Sequence, residues 1–191
     1  MLICSKRINT YLALALTLLL TACASTGKDK KQKAVLDKKG KEKSFMRIHI
    51  QEDPDGTERS AEVSVYRANP IKISVHKEPF LDQGNLVKAS VVDDIGGFAI
   101  KLEFTRQGTW LLENQTSAYK GRQIVIAALF GDTPDKLRWL AAPYITEPIS
   151  NGVLRFTPDA TREEAERIVL GLNNVIADVK KKALLKDRDD E

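Results

Sequence analysis

His49 and His76 are the side chains of this chain best suited to acid–base work or metal ligation. Both stand in strand-patterned stretches with no second histidine or cysteine at ligand spacing. Histidines so placed belong to a sheet, and no metal is expected. Serine, threonine and aspartate are plentiful, yet neither histidine is flanked by a nucleophile motif, and spacing assembles no Ser/His/Asp set. Gly96-Gly97 is a bare pair suited to a tight turn, whereas a phosphate-cradling loop needs a longer glycine pattern opening a helix. Asp53, Asp55 and Glu58 lack the ligand spacing of a calcium loop and read as a charged turn. The chain is therefore expected to be no enzyme and to use no cofactor.

Cysteine chemistry points elsewhere. Lys6 and Arg7 precede an uncharged run, Tyr11–Leu20, which is followed at once by Leu20-Thr21-Ala22-Cys23. This is the layout of a bacterial secretory signal. The apolar run is half the roughly 20 residues that a spanning helix needs, and no later stretch approaches that length. The tetrad resembles the lipobox of bacterial lipoproteins, in which the cysteine thiol takes a diacylglyceryl group, the signal is cut before it, and the new amino terminus receives a fatty acyl chain such as palmitate. The resemblance implies removal of residues 1–22, lipidation at Cys23 and attachment to a membrane through that lipid. An ordinary cleavage site with an incidental cysteine is the alternative. Ala24, rather than Asp, is similar to the outer-membrane sorting pattern, so a periplasm-facing anchor in the outer membrane is expected over the inner. Cys4 leaves with the signal, so the folded part has no thiol or disulfide.

The formal charge of +4 belongs to an appendage. Between Ala24 and Ser44 stand eight lysines against Asp29, Asp37 and Glu42, while from Phe45 onward 20 basic residues face 23 acidic ones. A mildly acidic domain on a Lys-rich tether is no nucleic-acid binder. The tether, residues 23–44 with the lipidated cysteine, is too polar to fold and self-repels into an extended spacer.

Periodicity supplies the positioning elements. Phe45–Gln51 alternates with Met46, Ile48 and Ile50 on one face, Glu62–Arg67 repeats the pattern, and Asp53-Pro54-Asp55-Gly56 between them predicts a hairpin. Ile71–Val75 is a third strand. Asp82–Ala89 reads as a short helix or helical turn, followed by strand Ser90–Asp93, a glycine turn and strand Phe98–Phe104. Thr105 caps a helix through Trp110 and Leu111 that ends near Gly121, with Trp110 at core spacing. Ile124–Leu129 is apolar almost throughout and predicts a strand covered on both faces. Arg138–Ile145 follows as a strand that Pro143 marks as an edge or a bulge, and Val153–Phe156 is ambiguous. From Thr161 a stripe of Ala165, Ile168, Val169, Leu172, Ile176 and Val179 predicts a long C-terminal helix opened by a Thr161/Glu164 capping box. Turns this short exclude parallel crossovers, so the expected class is α+β, a mixed or largely antiparallel sheet packed against helices. Trp139 and Tyr144 flank Ala142-Pro143 on the expected edge strand. There they either pack or cover the side chains of an extended polypeptide that pairs with that edge.

Three segments carry a family resemblance. They are Glu78-Pro79-Phe80-Leu81 with Leu86 and Ala89-Ser90-Val91; Phe98–Thr105 with Gly108, Thr116 and Gly121-Arg122; and Ala142-Pro143-Tyr144-Ile145-Thr146-Glu147-Pro148-Ile149 with Gly152 and Thr161–Ala165. In this order they resemble the P1 head subdomain of SecD, from the SecDF protein-export factor. The chain departs from that pattern in the longer stretch Gly131–Lys136 and in Leu154, Pro158 and Asp159, where the family favours glycine. The family's proton coupling runs through transmembrane helices, for which this sequence has no candidate. With the patterning above, the resemblance gives a head-like domain over 75–179, preceded by an N-terminal β-hairpin region over 45–74 and followed by a charged tail over 180–191. It also implies binding of unfolded polypeptide or of a Sec translocon component. A structural envelope lipoprotein that reuses the fold as an assembly part is the alternative.

Overall fold

The computed structural model of the chain describes residues 42–54, 56, 58–131 and 137–189, within one compact unit, Lys41–Glu191. The signal, Cys23, the tether up to residue 41, Asp55 and the end of the tail lie outside the described residues.

Among the described residues nine strands, a 3-10 turn and two helices follow in order: β1 Phe45–Ile50, β2 Ser60–Val65, β3 Ile71–His76, β4 Leu81–Asp82, the turn Gln83–Asn85, β5 Leu86–Asp94, β6 Gly97–Phe104, α1 Arg106–Ala118, β7 Ile124–Leu129, β8 Arg138–Ala141, β9 Val153–Phe156 and α2 Arg162–Asp189. They form a four-stranded sheet ordered β4-β1-β7-β8, a three-stranded sheet β5-β6-β9 and a separate β2-β3 hairpin, with antiparallel pairing throughout. The α+β architecture with a long C-terminal helix is as expected.

The predicted pairing of the first two strands is not formed. β1 runs beside β7 over its whole length, Phe45 opposite Leu129 through Ile50 opposite Ile124, and β2 pairs with β3 instead. Alternation fixes which face of a strand is buried but not which strand lies beside it. β7, buried along nearly its full length, takes β1 as the neighbour that completes its ladder. β1 is thus part of the head sheet, and the division between 45–74 and 75–179 falls inside β3.

Of the short helix or helical turn expected over Asp82–Ala89, only a single 3-10 turn, Gln83–Asn85, forms. Asp82 caps it through Gly84 N at 2.7 Å, and Asn85 reaches back to Asp82 N at 3.2 Å. From Leu86 the chain is extended because Leu86 and Ala89 go into the core beside β6. Trp110 is not core but 63% exposed; α1 buries Gly108, Leu112 and Thr116 instead. The ambiguous stretch Val153–Phe156 is a strand beside β6.

α2 begins with the predicted capping box, Glu164 N donating to Thr161 Oγ1 at 3.2 Å and Thr161 N to Glu164 Oε2 at 2.8 Å. Its buried stripe is Ala165, Ile168, Leu172, Val175 and Ile176, while Val179 is exposed. α2 also closes the open edge of β5, since the Asn173 side chain accepts from Ala89 N at 3.0 Å and donates to Ala89 O at 2.9 Å, as a neighbouring strand would. The fold starts earlier than Phe45. Glu42 O accepts from Asn174 Nδ2 at 2.9 Å, Lys43 pairs with Asp178 at 3.2 Å, and Ser44 is fully buried against α2.

Candidate polypeptide-binding face

β1, β7 and β8 present two faces. On the inner face Met46, Ile48, Ile50, Ile124, Ile126, Ala128 and Leu140 join the main core with α1 and α2. The outer face carries Phe45, Arg47 and His49 opposite Leu129, Ala127 and Val125, with Trp139 beside Ala127. This face is divided. The β2-β3 hairpin covers one half, packing Val65, Ile73 and Val75 with Val125, Ala142, Trp139 and Tyr66. The other half is an open groove of about 580 Å³ lined by Phe45, Arg47, Leu129, Leu137, Pro79, Asp82 and Gln83. Phe45 and Leu137 are each more than a third exposed.

The residues expected to bind polypeptide are distributed across this division. β8 is an edge strand, as Pro143 implied, but its outer backbone groups are bonded within the chain. Leu140 O accepts from Asp159 N at 2.7 Å, Ala142 N donates to the Tyr66 hydroxyl at 3.3 Å, and Ala142 O accepts from Gln123 Nε2 at 2.9 Å. Pro143 O accepts from Ile124 N at 2.9 Å. The last of these continues the ladder to β7; backbone pairing at the outer edge of β8 would first have to break the others. Trp139 is half-buried under the hairpin and Ala142 is buried with it, whereas Tyr144 is 68% exposed, opposite Gln123. Phe45, Arg47, Leu129 and Leu137 were not singled out from sequence. The signal for Phe45 and Arg47 was present, since they alternate with the core-facing Met46 and Ile48.

His49 lies under the hairpin, 4% exposed, its ring 5.2 Å from that of Trp139. Nδ1 is 2.8 Å from His76 O. Burial holds its pKa below the ordinary value, against the raising effect of the His76 carbonyl, and the charges of Arg47 and His76 add to the lowering. Asp53 is held by both guanidinium nitrogens of Arg122 at 2.6 and 2.7 Å, which ties the turn after β1 to the entry of β7. Among the described residues no three His, Cys, Asp or Glu side chains gather at metal-binding range, and no helix is long and apolar enough to cross a membrane.

A charged staple joins the hairpin, β8 and α2. Arg138 donates to both Glu164 oxygens at 2.8 and 3.0 Å and to Asp159 O at 2.7 Å, while the Arg67 side chain reaches Asp159 Oδ2 at 3.4 Å and Glu164 at 3.5 Å. The Arg138 guanidinium is the main cause that holds the Glu164 carboxyl down to about 2.

The arrangement as a whole has counterparts among solved proteins. A structure described as that of "a membrane component SecDF that enhances protein export" superposes with a TM-score of 0.51 at 20% identity, covering 81% of this chain and 71% of that one. The fold is SecDF head-like. A second structure, SecDF in a super-membrane-facing form, gives a TM-score of 0.50 at 18% identity over 79% of this chain, which spans 21% of the SecDF chain. At such identities the likeness is one of fold. No family model and no curated protein sequence matches the chain.

Proposed function

We propose that this chain is a lipid-anchored periplasmic protein whose SecDF head-like module binds extended apolar polypeptide, without catalysis, in support of protein export. The observation that carries the binding reading is the open half of the outer sheet face, where Phe45, Leu129 and Leu137 surround Arg47 in a groove of about 580 Å³. A concave strip in which the apolar Phe45, Pro79, Leu129 and Leu137 stand beside the polar Arg47, Asp82 and Gln83 accepts both side chains and backbone of many sequences, and gives weak affinity with little sequence preference. Phe45→Ser and Leu137→Ser are each expected to weaken binding of a permanently unfolded, alkylated model polypeptide about tenfold, with the fold intact by circular dichroism, as for loss of one apolar anchor. Wild-type affinity in both folded variants would remove the groove from the proposal. In-cell crosslinking addresses the partner: Sec components and nascent chains fit the export role, and one fixed envelope partner fits an assembly part.

The anchoring reading rests on Leu20-Thr21-Ala22-Cys23. Several acyl chains, at about 0.8 kcal/mol per buried methylene, hold a protein on a membrane stably. Cys23→Ala is expected to move the chain to the soluble fraction or to leave an uncleaved precursor. A processed Cys23→Ala protein that still partitions into the detergent phase would defeat it. Fractionation of the wild type tests the proposed outer-membrane location.

A further inference from the structure

We propose that the β2-β3 hairpin is a proton-sensitive cover over the closed half of the outer face, and that protonation of His49 favours its release. Release would extend the groove from Phe45 and Leu129 to Val125, Trp139 and Ala142. The consequence for binding rests on the polypeptide reading above; the opening itself does not.

The hairpin is built as a separable part. β2 and β3 form a sheet of their own. At the base the hairpin joins the body through a Gln51–Val75 bridge and the bond from Glu52 N to Ser74 O at 2.9 Å. At the tip it is held by the Tyr66 hydroxyl on Ala142 N and by Arg67 on Asp159 and Glu164. Beside the contact between His49 Nδ1 and His76 O, its apolar attachment is the small cluster of Val65, Ile73 and Val75 on Val125 and Ala142. This cluster is distinct from the main core, so the hairpin can lift without unpacking α1 or α2 from the sheets.

His49 sits within that contact in a form that tolerates only one ring proton. A carbonyl oxygen only accepts, so Nδ1 carries the hydrogen directed at His76 O and Nε2 is bare. Nε2 is fully buried with no hydrogen-bond partner among the described residues. The surroundings do not favour a second proton. On its own strand the charged neighbour is Arg47 and on β3 it is His76, both opposing positive charge; β7 places Val125 opposite and β8 places the Trp139 ring against it. An imidazolium here would be a buried charge with one unpaired donor, whereas in any form that admits water to the ring the same charge is solvated. The closed form is thus the weaker base, and the open form takes the proton first. As pH falls below about 6.5 the open population rises, by up to about tenfold per pH unit, until the closed form is also protonated.

Amide hydrogen exchange on the mature chain, corrected for intrinsic rates, reads this directly. Between pH of about 7.5 and 5.5 the amides of Ser60–Val65 and Ile71–His76 should lose protection relative to β7 and α2, by as much as about tenfold per unit. His49→Phe, which keeps an apolar ring in place, should abolish the pH dependence, and His76→Gln should retain it. Should His49→Phe fail to fold, NMR titration of the wild-type His49 ring serves instead, and a pKa at or above its ordinary value overturns the proposal. So does hairpin protection that does not change with pH. An alkylated, unfolded model polypeptide should bind more tightly at the lower pH in wild type and equally at both in His49→Phe. Measurable but equal wild-type binding at both pH values overturns the extension of the groove beneath the hairpin and leaves the open groove standing. No binding at either pH, with exchange still pH-dependent, supports the cover and overturns the function proposed for it.

Discussion

A Gly171→Ala chain is expected to be less stable than wild type by roughly 2 kcal/mol, although alanine is the better helix former by about 1 kcal/mol. Gly171 lies in α2 where Glu42–Ser44 crosses it. A Cβ there would overlap Ser44 Oγ and stand 2.6 Å from Ser44 N and 2.8 Å from Lys43 C. Two of these atoms are backbone, so no flexible side-chain end can yield. The segment must leave the helix, with loss of the Asn174–Glu42 bond, the Glu42–Arg167 and Lys43–Asp178 pairs and the burial of Ser44. The exposed ion pairs contribute little, and the lost packing and the freed Ser44 carry the effect. A chain beginning at Phe45 should show the opposite sign: with nothing to displace, Gly171→Ala becomes neutral or stabilising by up to about 1 kcal/mol. Denaturant melts of the four proteins complete the cycle. Equal effects of Gly171→Ala in both backgrounds would show that residues 42–44 are not part of the folded structure.

Removal of Arg138 should cost a similar amount, but in a pH-dependent way. Glu164 has its carboxyl lowered from 4.5 to about 2, chiefly by hydrogen bonds from Arg138. A group with a depressed folded pKa stabilises the fold above its unfolded pKa. That contribution is lost as pH falls from about 4.5 toward 2. The shift corresponds to at most about 3 kcal/mol, and since the paired side chains are 23% and 29% exposed, solvent reduces it to roughly 2 kcal/mol. Arg138→Ala should therefore lose roughly 2 to 3 kcal/mol at neutral pH by urea melts, and the gap from wild type should narrow as the pH approaches 2. A residue of the difference will persist, because Arg138 also bonds Asp159 O and lies 5.0 Å over the Phe130 ring. A gap that stays constant down to acid pH would show that packing, not charge, makes this contact matter.

Local rules written in the residues themselves determined much of this protein. The α2 capping box, the Thr105 cap, the glycine turn before β6, the doubly covered β7 and the edge character of β8 each follow from a handful of adjacent side chains, because helix capping, turn geometry and strand alternation are short-range effects. The ordered segments around Ala142-Pro143 and Thr161–Ala165 likewise carried the fold's resemblance. Tertiary structure decided the partners. Phe45–Ile50 has the same pattern whether it pairs with β2 or with β7, and only the burial available on both faces of β7 selects the latter. Trp110 has the spacing of a core residue and Trp139 the position of an edge-strand aromatic. One is left in solvent because Leu112 and Gly108 take the buried side of α1, and the other is covered because a hairpin folds over it. The groove brings Phe45 of β1 together with Leu129 of β7 and Leu137 before β8, which are far from it in sequence, and the orphaned Nε2 of His49 exists only once β3 has closed above β1. No local rule reaches contacts of that range, since they are settled by which apolar faces can be buried together.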